Sequence, residues 1–174
     1  MKNFTLLVLL LFPVLLCAGF SPGIRLQKTH QLYWENGFTL DYTHDHLMEK
    51  HLHVGLSYIS SRFGAALNSN ALKQDHYMVY AAWVFRQHES LQPVLRLNTG
   101  YFYSDYESKI FNDLINTSLL LSAETGIMFN PVEPLCLSFM LGYNFITGDG
   151  IDGAGTLFPL FYYLSVSWSL KGGE

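Results

Sequence analysis

A histidine-rich segment concentrates the side chains best suited to metal chemistry. Residues 43–53 read T-H-D-H-L-M-E-K-H-L-H, which places four histidines and two carboxylates within eleven residues. Imidazole nitrogens and carboxylate oxygens are common zinc ligands, and a structural site needs four ligands in a tetrahedron. Such a site can form only if these side chains lie on one face of the chain, so the surrounding elements decide the chemistry of this segment.

The N-terminus has the features of a secretory signal peptide. M-K-N-F precedes the apolar run T-L-L-V-L-L-L-F-P-V-L-L, and the small residues of C-A-G follow. A charged start, a short apolar run and small residues at the cleavage point are typical of such peptides, whereas a membrane helix needs about 20 apolar residues. We expect residues 1–19 to be cleaved and residues 20–174 to form one domain. A lipoprotein is the alternative, although Leu16 precedes Cys17 where a lipoprotein cysteine usually follows a small residue.

The composition of the mature chain is unusual for a soluble exported protein. Charged residues make up 14% of the sequence, where about 25% is usual, and aromatic residues make up 16%. Loss of Lys2 with the signal peptide lowers the number of basic residues from 10 to 9 against 14 acidic ones, a net charge of −5. This charge excludes the basic surface of a nucleic-acid-binding protein.

Cys136 is then the single cysteine of the mature chain and can form no internal disulfide. Two classes fit: a membrane β-barrel, or a secreted barrel with an apolar cavity.

Alternation of apolar and polar residues with a period of two predicts strands with two different faces. In residues 135–146, L-C-L-S-F-M-L-G-Y-N-F-I, one set is apolar or aromatic and the other is small or polar. Most strands are expected to reach about 10–13 residues, close to the roughly 9–11 residues that cross a membrane as a tilted strand. The other seven predicted strands are centred on residues 23–34, 38–43, 52–58, 77–85, 95–103, 118–129 and 162–170.

The connections between these strands differ in length. Short ones, L-M-E-K, R-Q-H-E-S and N-P-V-E-P, follow the second, fourth and sixth strands. Longer polar ones follow the third, fifth and seventh: G-A-A-L-N-S-N-A-L-K-Q-D, S-D-Y-E-S-K-I-F-N-D-L-I-N and T-G-D-G-I-D-G-A-G-T. The first connection, around W-E-N-G, is predicted to be tight. Short turns at one end and long loops at the other are typical of bacterial outer-membrane barrels, and an even number of strands returns both termini to the periplasm.

The polar faces of the strands favour the membrane barrel over the soluble one. A soluble lipocalin-like lipid binder, which stays as an alternative, turns its apolar face inward and a Lys/Glu-rich face outward. Here the non-apolar faces hold mainly Ser, Thr, Asn, Gly and Tyr, with isolated Asp41, Arg96 and Glu124. Such faces suit the interior of a narrow barrel. Large aromatic residues near strand ends predict the girdles found at membrane–water interfaces: Trp34, Tyr42, Tyr58, Trp83, Tyr103, Tyr143 and Trp168.

The pattern resembles the small eight-stranded outer-membrane barrels of the OmpA/OmpX kind. The resemblance covers nearly the whole mature chain and includes segments such as G-Y-F-Y (residues 100–103) and L-G-Y-N-F (residues 141–145). It implies the fold of that family but no particular activity. The family usually ends on an aromatic residue that the barrel-insertion machinery reads, whereas this chain ends S-W-S-L-K-G-G-E. The insertion signal is then internal, or the tail lies beyond the last strand.

Three residues of the predicted inner face are expected to meet inside the barrel. Side chains nearly fill the space within eight strands, so no wide pore is expected. Symmetric pairing of the fifth and sixth strands about Ile110 places Arg96 opposite Glu124, and a five-residue turn at residues 86–90 brings Tyr80 beside Arg96. Because buried charges need partners, we predict a structural cluster of Tyr80, Arg96 and Glu124. Exchange of Arg96 and Glu124 should then preserve folding.

A lipid A-modifying enzyme is the alternative function, because some barrels of this size act on lipid A. The His-x-Ser-Asn type signature of the deacylases is absent from the sequence. An acyltransferase of the palmitoyltransferase type needs a His and a Ser near the extracellular loops, and only His76 lies near such a loop. We therefore expect no enzymatic activity and no cofactor.

The long loops remain as the segments most suited to carry function. Residues 104–116 are apolar for an exposed loop, which predicts a cap over the barrel or a contact surface for a partner. The last loop offers Asp149 and Asp152 among glycines, but their spacing does not match an EF-hand, so we expect a polar surface loop. The residues proposed for loop contact are Tyr106, Ile110, Phe111 and Leu114.

The histidine-rich segment becomes the turn between the second and third strands. Alternation places its first two histidines outward and its last two inward, and a symmetric turn pairs Tyr42 with Val54. Since the histidines divide between opposite faces, they do not converge on one ion, and no metal site is predicted. Polar residues that close a hairpin at the membrane interface explain the segment.

These observations together predict an all-β protein, an eight-stranded antiparallel up-and-down transmembrane β-barrel of the Gram-negative outer membrane. Its function is expected to be non-enzymatic: structural, adhesive or ligand-binding through extracellular loops. The expected partners are outer-membrane lipid or lipopolysaccharide and an extracellular ligand. We expect a monomer that binds no nucleic acid.

Overall fold

The chain forms a closed barrel of eight antiparallel strands that follow one another in sequence order. The computed structural model describes residues 19–29, 33–43, 48–66, 69–106, 115–148, 154–155 and 159–170. The predicted all-β, up-and-down barrel is confirmed; the predicted signal peptide falls almost wholly on residues 1–18, outside the described residues. The strands are β1 (Phe20–Thr29), β2 (Tyr33–Tyr42), β3 (Leu52–Ala66), β4 (Ser69–Val84), β5 (Leu91–Tyr106), β6 (Thr117–Val132), β7 (Leu135–Ile146) and β8 (Leu160–Trp168).

Pairing between the first and last strands closes the barrel. The β1–β8 ladder runs from Gly23 opposite Ser167 to Thr29 opposite Phe161, so no strand edge stays open along these residues. The end of the barrel that holds Phe20 and Trp168 is called the terminal rim here, and the opposite end is called the loop rim. At the terminal rim, residues 43–51, 85–90 and 133–134 connect the strands, and the first of these includes a 3-10 turn at Met48–Lys50. None of the described residues form a helix with the length and hydropathy needed to span a bilayer.

The side chains alternate between a polar interior and an apolar exterior, as predicted. In β7, Cys136, Ser138, Met140, Gly142 and Asn144 are buried, whereas the residues that alternate with them point outward. Central outward residues on other strands are largely exposed, for example Leu97 at 56%. Exposing apolar surface to water costs roughly 25 cal/mol per Å², and a soluble protein therefore buries such side chains. In this barrel the distribution of apolar and polar side chains between inside and outside is the reverse.

The first connection does not lie where the sequence predicted it. W-E-N-G was expected to form a turn after a first strand at residues 23–34, but it lies inside β2, and residues 30–32 separate β1 from β2. The ladder instead pairs Gln27 with Glu35 and Arg25 with Gly37. A side chain at position 37 would collide with the Tyr58 carbonyl. The glycine that suggested a turn therefore serves close packing between strands, and the glutamate assigned to the turn lies inside the barrel.

The first of the three predicted long loops was also predicted wrongly. Residues 64–75 were expected to form a loop, but β3 continues to Ala66 and β4 begins at Ser69, so that only residues 67–68 connect them. The hydrogen bonds of an antiparallel ladder join main-chain groups. A run of polar side chains therefore does not by itself end a strand. The connections after β5 and β7 are long, at residues 107–116 and 147–159, in agreement with the prediction.

Side chains fill the interior along the described strands. Two large aromatic residues occupy the space left by glycines on neighbouring strands: the Tyr80 ring lies over Gly55, and the Phe161 ring lies over Gly142. Within the described residues this packing leaves no wide channel. One apolar cluster contains Tyr80, Ala82, Val84, Val94, Met140, Phe161 and Tyr163, and the other contains Ile59, Met78, Phe102, Leu120 and Ala154.

Candidate functional site

The interior contains a network of charged side chains in which Arg96 and Glu124 lie directly opposite each other on β5 and β6. Arg96 Nε is 3.7 Å from Glu124 Oε2, and neither Arg96 Nε nor Arg96 Nη1 makes a hydrogen bond. The contact is therefore ionic rather than hydrogen-bonded. The Arg96 guanidinium lies over the Tyr80 ring, 4.0 Å from its centroid. The structure thus brings together the three residues that the sequence placed in one cluster, all of them buried.

Asp41 of β2 joins this cluster from the other side. Tyr80 Oη donates a hydrogen bond to Asp41 Oδ1, and Arg96 Nη2 lies 3.8 Å from the same oxygen. Arg96 therefore lies between two carboxylates, and Tyr80 contacts both the cation and one of its anions. The sequence identified Asp41 as an inward residue but did not connect it to Arg96.

Arg25 of β1 is a second cation, and it binds Glu124 more closely than Arg96 does. Arg25 Nη2 donates to Glu124 Oε1 at 3.1 Å, and both side chains are fully shielded from solvent. Tyr163 Oη donates to Glu124 Oε2 at 2.8 Å. The Arg25 guanidinium lies 3.5 Å from the centroid of the Tyr163 ring, a geometry that favours cation–π attraction. Glu124 therefore pairs with two guanidinium groups and one phenol.

The network continues from Arg25 to Glu35. Arg25 Nη2 donates to Gln27 Oε1, and Gln27 Nε2 donates to Glu35 Oε2. Thr29 Oγ1 donates to Glu35 Oε1 at 3.1 Å. Gln27 thus links the charges around Glu124 to a carboxylate that lies nearer the loop rim.

The network is suited to hold strands together rather than to perform a reaction. Moving an ion from water into a protein interior costs several kcal/mol, which only close pairing and hydrogen bonds offset. Two cations, Arg25 and Arg96, face three anions, Asp41, Glu35 and Glu124, and these five residues come from β1, β2, β5 and β6. Each charge therefore supports the barrel only while its partners on other strands stay in place.

The sequence missed part of this network for an identifiable reason. Arg25 and Gln27 alternate with the outward Ile24 and Leu26, so their inward position was readable from the same period of two. Glu35 was missed because W-E-N-G was interpreted as a turn, although it lies inside β2. That interpretation left Glu35 out of the predicted inner face.

The last loop places one residue inside the barrel at the loop rim. Ala154 is buried with Ile59, Met78, Phe102 and Leu120, and its carbonyl accepts a hydrogen bond from Ser118 Oγ. Ala154 therefore acts as a plug at this rim, whereas the polar surface expected of the rest of the loop stays a prediction. Asp149 and Asp152 lie outside the described residues.

The predicted loop-contact residues fall largely outside what the structure describes. Ile110, Phe111 and Leu114 lie outside the described residues. Tyr106 ends β5, but its side chain is likewise outside the described part of the chain. Their proposed role as a contact surface stays a prediction.

The predicted girdle residues divide between the two ends of the barrel. Tyr42 and Trp168 end their strands at the terminal rim, and Trp83 is next to the last residue of β4. Trp34, Tyr103 and Tyr143 lie towards the loop rim, whereas Tyr58 lies near the middle of the long β3. Four of these residues are exposed on the outer surface: Trp34, Tyr103, Tyr143 and Trp168. The other three are half-buried: Tyr42, Tyr58 and Trp83.

The histidine-rich turn connects β2 to β3 as predicted, and its expected pairing of Tyr42 with Val54 is confirmed. His51 Nδ1 lies 2.7 Å from the Val84 carbonyl oxygen, and its ring stacks on Trp83 at 5.4 Å. His44 and His46 lie outside the described residues. Elsewhere in the described chain, no three His, Cys, Asp or Glu side chains come together as a metal site would require.

Comparison with known proteins identifies the architecture. No protein-family model matches the chain, and no curated protein matches it. Neisserial surface protein A matches its structure at 14% identity with a TM-score of 0.58, over 88% of this chain and 95% of that chain. Ail, the attachment invasion locus protein of Yersinia pestis, matches at 17% identity with a TM-score of 0.54, over 87% and 95%.

A designed transmembrane β-barrel matches equally well, at 10% identity with a TM-score of 0.54, over 88% of this chain and 96% of the designed one. At these identities the likeness is one of fold. The chain therefore has the fold of small eight-stranded transmembrane barrels such as those of the outer membrane.

Proposed function

We propose that this chain is an outer-membrane β-barrel that acts without catalysis, through its extracellular loops, in a structural, adhesive or ligand-binding role. The observation that carries the proposal is the inverted distribution of side chains on a closed barrel. Its charged network lies inside, while aliphatic and aromatic side chains cover the outside. Hydrocarbon is the solvent that favours this arrangement, since a closed barrel leaves no main-chain hydrogen-bonding group unpaired in lipid.

The outward residues support this environment strand by strand. Leu95, Leu97, Leu119, Leu121 and Phe139 are all exposed on the outer face of three strands. Their neighbours on the same strands, such as Arg96 and Glu124, are buried inside. A soluble lipid binder needs the opposite arrangement, which counts against that alternative.

The two longest connections, residues 107–116 and 147–159, both lie at the loop rim and support an orientation in the membrane. In outer-membrane barrels the short turns lie in the periplasm and the longer loops outside the cell. We therefore place the terminal rim, with both termini, in the periplasm and the loop rim outside. The cleaved signal peptide proposed for residues 1–19 suits this route of export.

The filled interior favours contact over transport as the role of the loops. The charged network and the two apolar clusters occupy the described interior, and the Ala154 plug lies at the loop rim. A barrel of this kind offers no broad path for a solute, so its external surface is the part available to a ligand. We propose that it works as a monomer, since eight strands close without a second copy.

The position of His76 counts against a lipid-modifying enzyme. His76 follows the segment that was expected to be a long loop, but it lies within β4, is 4% exposed, and packs its ring on Phe102 inside the barrel. An acyltransferase that works on membrane lipid needs its base on the surface that lipid reaches. Comparison of lipid A from cells with and without the protein by mass spectrometry tests this alternative, and we expect identical lipid A.

Membrane location and orientation can be tested in cells that express the chain. We expect it in the outer-membrane fraction, with a mobility on gels that changes on heating because the barrel unfolds only when boiled. Cysteine substitutions in residues 107–116 should react with a membrane-impermeant reagent on whole cells, whereas substitution of Gln87 at the terminal rim should not. A soluble, heat-insensitive product would refute the proposal.

A further inference from the structure

An acidic side chain, Asp75, lies on the outer face of the barrel, which is mainly apolar along the described strands. Asp75 shares the outward face of β4 with Tyr77 and Val79, because alternate residues of a strand point to the same side. Its Oδ1 accepts hydrogen bonds from the Ser60 hydroxyl at 2.6 Å and the Tyr58 hydroxyl at 3.0 Å. Ionisable groups within a membrane are costly and are commonly functional, so this carboxylate requires an explanation.

Tyrosines surround Asp75 on three adjacent strands. Tyr58 of β3 pairs with Tyr77 of β4, which in turn pairs with Tyr101 of β5, and Tyr103 lies opposite Asp75. The Tyr58 and Tyr77 rings are 5.1 Å apart and inclined by 36°. Tyr101 is 61% exposed and Tyr77 is 53% exposed, so their faces are accessible. These four tyrosines and Asp75 are called the tyrosine–aspartate patch.

The patch lies where the outer surface changes from apolar to polar. Towards the terminal rim, the next outward row is Leu56, Val79 and Thr99. Towards the loop rim, the row of Asp75 carries Ser60 and Tyr103. In the proposed orientation this boundary coincides with the headgroup layer of the outer leaflet.

We propose that the tyrosine–aspartate patch binds the sugar headgroup of an outer-leaflet glycolipid. A pyranose ring has an apolar C–H face, which packs on aromatic rings, and hydroxyl groups at its edge, which donate to a carboxylate. Tyr77 and Tyr101 supply the aromatic faces, and Asp75 supplies the acceptor, held in position by Tyr58 and Ser60. The apolar row beside the patch then receives the acyl chains of the same lipid. This inference rests on the proposed membrane orientation.

Charge favours a sugar over the other headgroup chemistries. A phosphate beside Asp75 would meet a like charge, so in a phosphorylated glycolipid such as lipid A the sugar ring, and not a phosphate group, lies against the patch. A carboxylate with aromatic neighbours can also bind ammonium groups, but Lys73 lies two residues before Asp75 on the same face of β4 and disfavours a second cation there. Neutral hydroxyl groups are compatible with both charges.

Native mass spectrometry of the folded full barrel tests the site. The protein is reconstituted with lipid A and phosphatidylethanolamine in equal amounts, released from detergent, and scored for retained lipid. We expect wild type to retain lipid A in preference. Asp75→Asn and Tyr101→Leu should each lower the retained fraction by about fivefold, the equivalent of roughly 1 kcal/mol. Tyr143→Leu is the matched control, because it removes an exposed tyrosine near the loop rim of β7, away from the patch, and should retain lipid A normally.

A loss of lipid retention can be distinguished from a failure of the membrane proposal. Heat-dependent gel mobility and whole-cell labelling report membrane insertion independently of lipid retention. If Asp75→Asn does not fold, Tyr101→Leu still tests the site, since its side chain lies on the exposed outer face. Equal retention by wild type and both folded patch variants would overturn the inference. Preferential retention of phosphatidylethanolamine by wild type would also overturn it, since an ammonium group would then be the ligand.

Discussion

Arg25 and Glu124, 99 residues apart in the sequence, form the closest ion pair described in the barrel interior, at 3.1 Å between Nη2 and Oε1 with both side chains fully shielded. Glu124 also meets Arg96 and Tyr163. One carboxylate of β6 therefore connects β1, β5 and β8 across the interior. Its removal would leave two guanidinium groups without this anion.

Glu124→Gln should strongly destabilise the barrel. Removing one partner of a buried pair leaves uncompensated charge and costs about 3–5 kcal/mol, which urea unfolding in detergent or phospholipid bilayers measures. Glu89→Gln is the matched control: Glu89 lies 3.5 Å from Arg86, but both side chains are more than half exposed, and such pairs contribute about 0–1 kcal/mol. Similar losses from the two substitutions would contradict the assigned role of Glu124.

Exchange of Arg96 and Glu124 should not restore stability, although an isolated pair would tolerate it. Arginine at position 124 would face Arg25, and glutamate at position 96 would face Asp41. We expect R96E/E124R to be at least as unstable as either single variant, measured by the fraction that shows heat-modifiable mobility after refolding. Recovery to wild-type stability would mean that Arg25 and Asp41 do not contribute.

Gly142→Ala should destabilise the barrel, because an added Cβ would overlap the Phe161 ring. Overpacking of this kind costs about 1–3 kcal/mol. Phe161→Ala in the same chain should recover part of the loss by making room, so that the double variant is more stable than the sum of the single effects predicts. Additive effects in urea unfolding would show that the two positions do not interact.

Leu97→Lys should report the depth of that residue in the membrane. Leu97 is exposed on the outer face within β5, and a lysine at the bilayer midplane of a barrel costs about 2–4 kcal/mol. Leu91, also exposed, begins β5 at the terminal rim, where the same substitution should cost about 0–1 kcal/mol. Equal costs in bilayers would argue against a membrane-spanning β5.

The number of strands and the division of residues between inside and outside could be predicted from the sequence. Alternation is a local property, because successive side chains of a strand point to opposite faces whatever the strand pairs with. It therefore identified the outward apolar set and the inward Asp41, Arg96 and Glu124 before any pairing was known. Turn length is local as well, which is why the short connections at residues 85–90 and 133–134 were recognisable.

Only the tertiary structure decided that Arg25, Asp41 and Glu35 join the predicted cluster around Arg96 and Glu124. Closure places β1 beside β8 and brings Arg25 across the interior to Glu124, and no local pattern encodes a contact over that separation. It also decided that W-E-N-G continues a strand, because the pairing of Gln27 with Glu35 and the close packing of strands at Gly37 outweigh a local turn preference. The sequence determined which side of each strand meets lipid; closure of the barrel determined how its buried charges are neutralised.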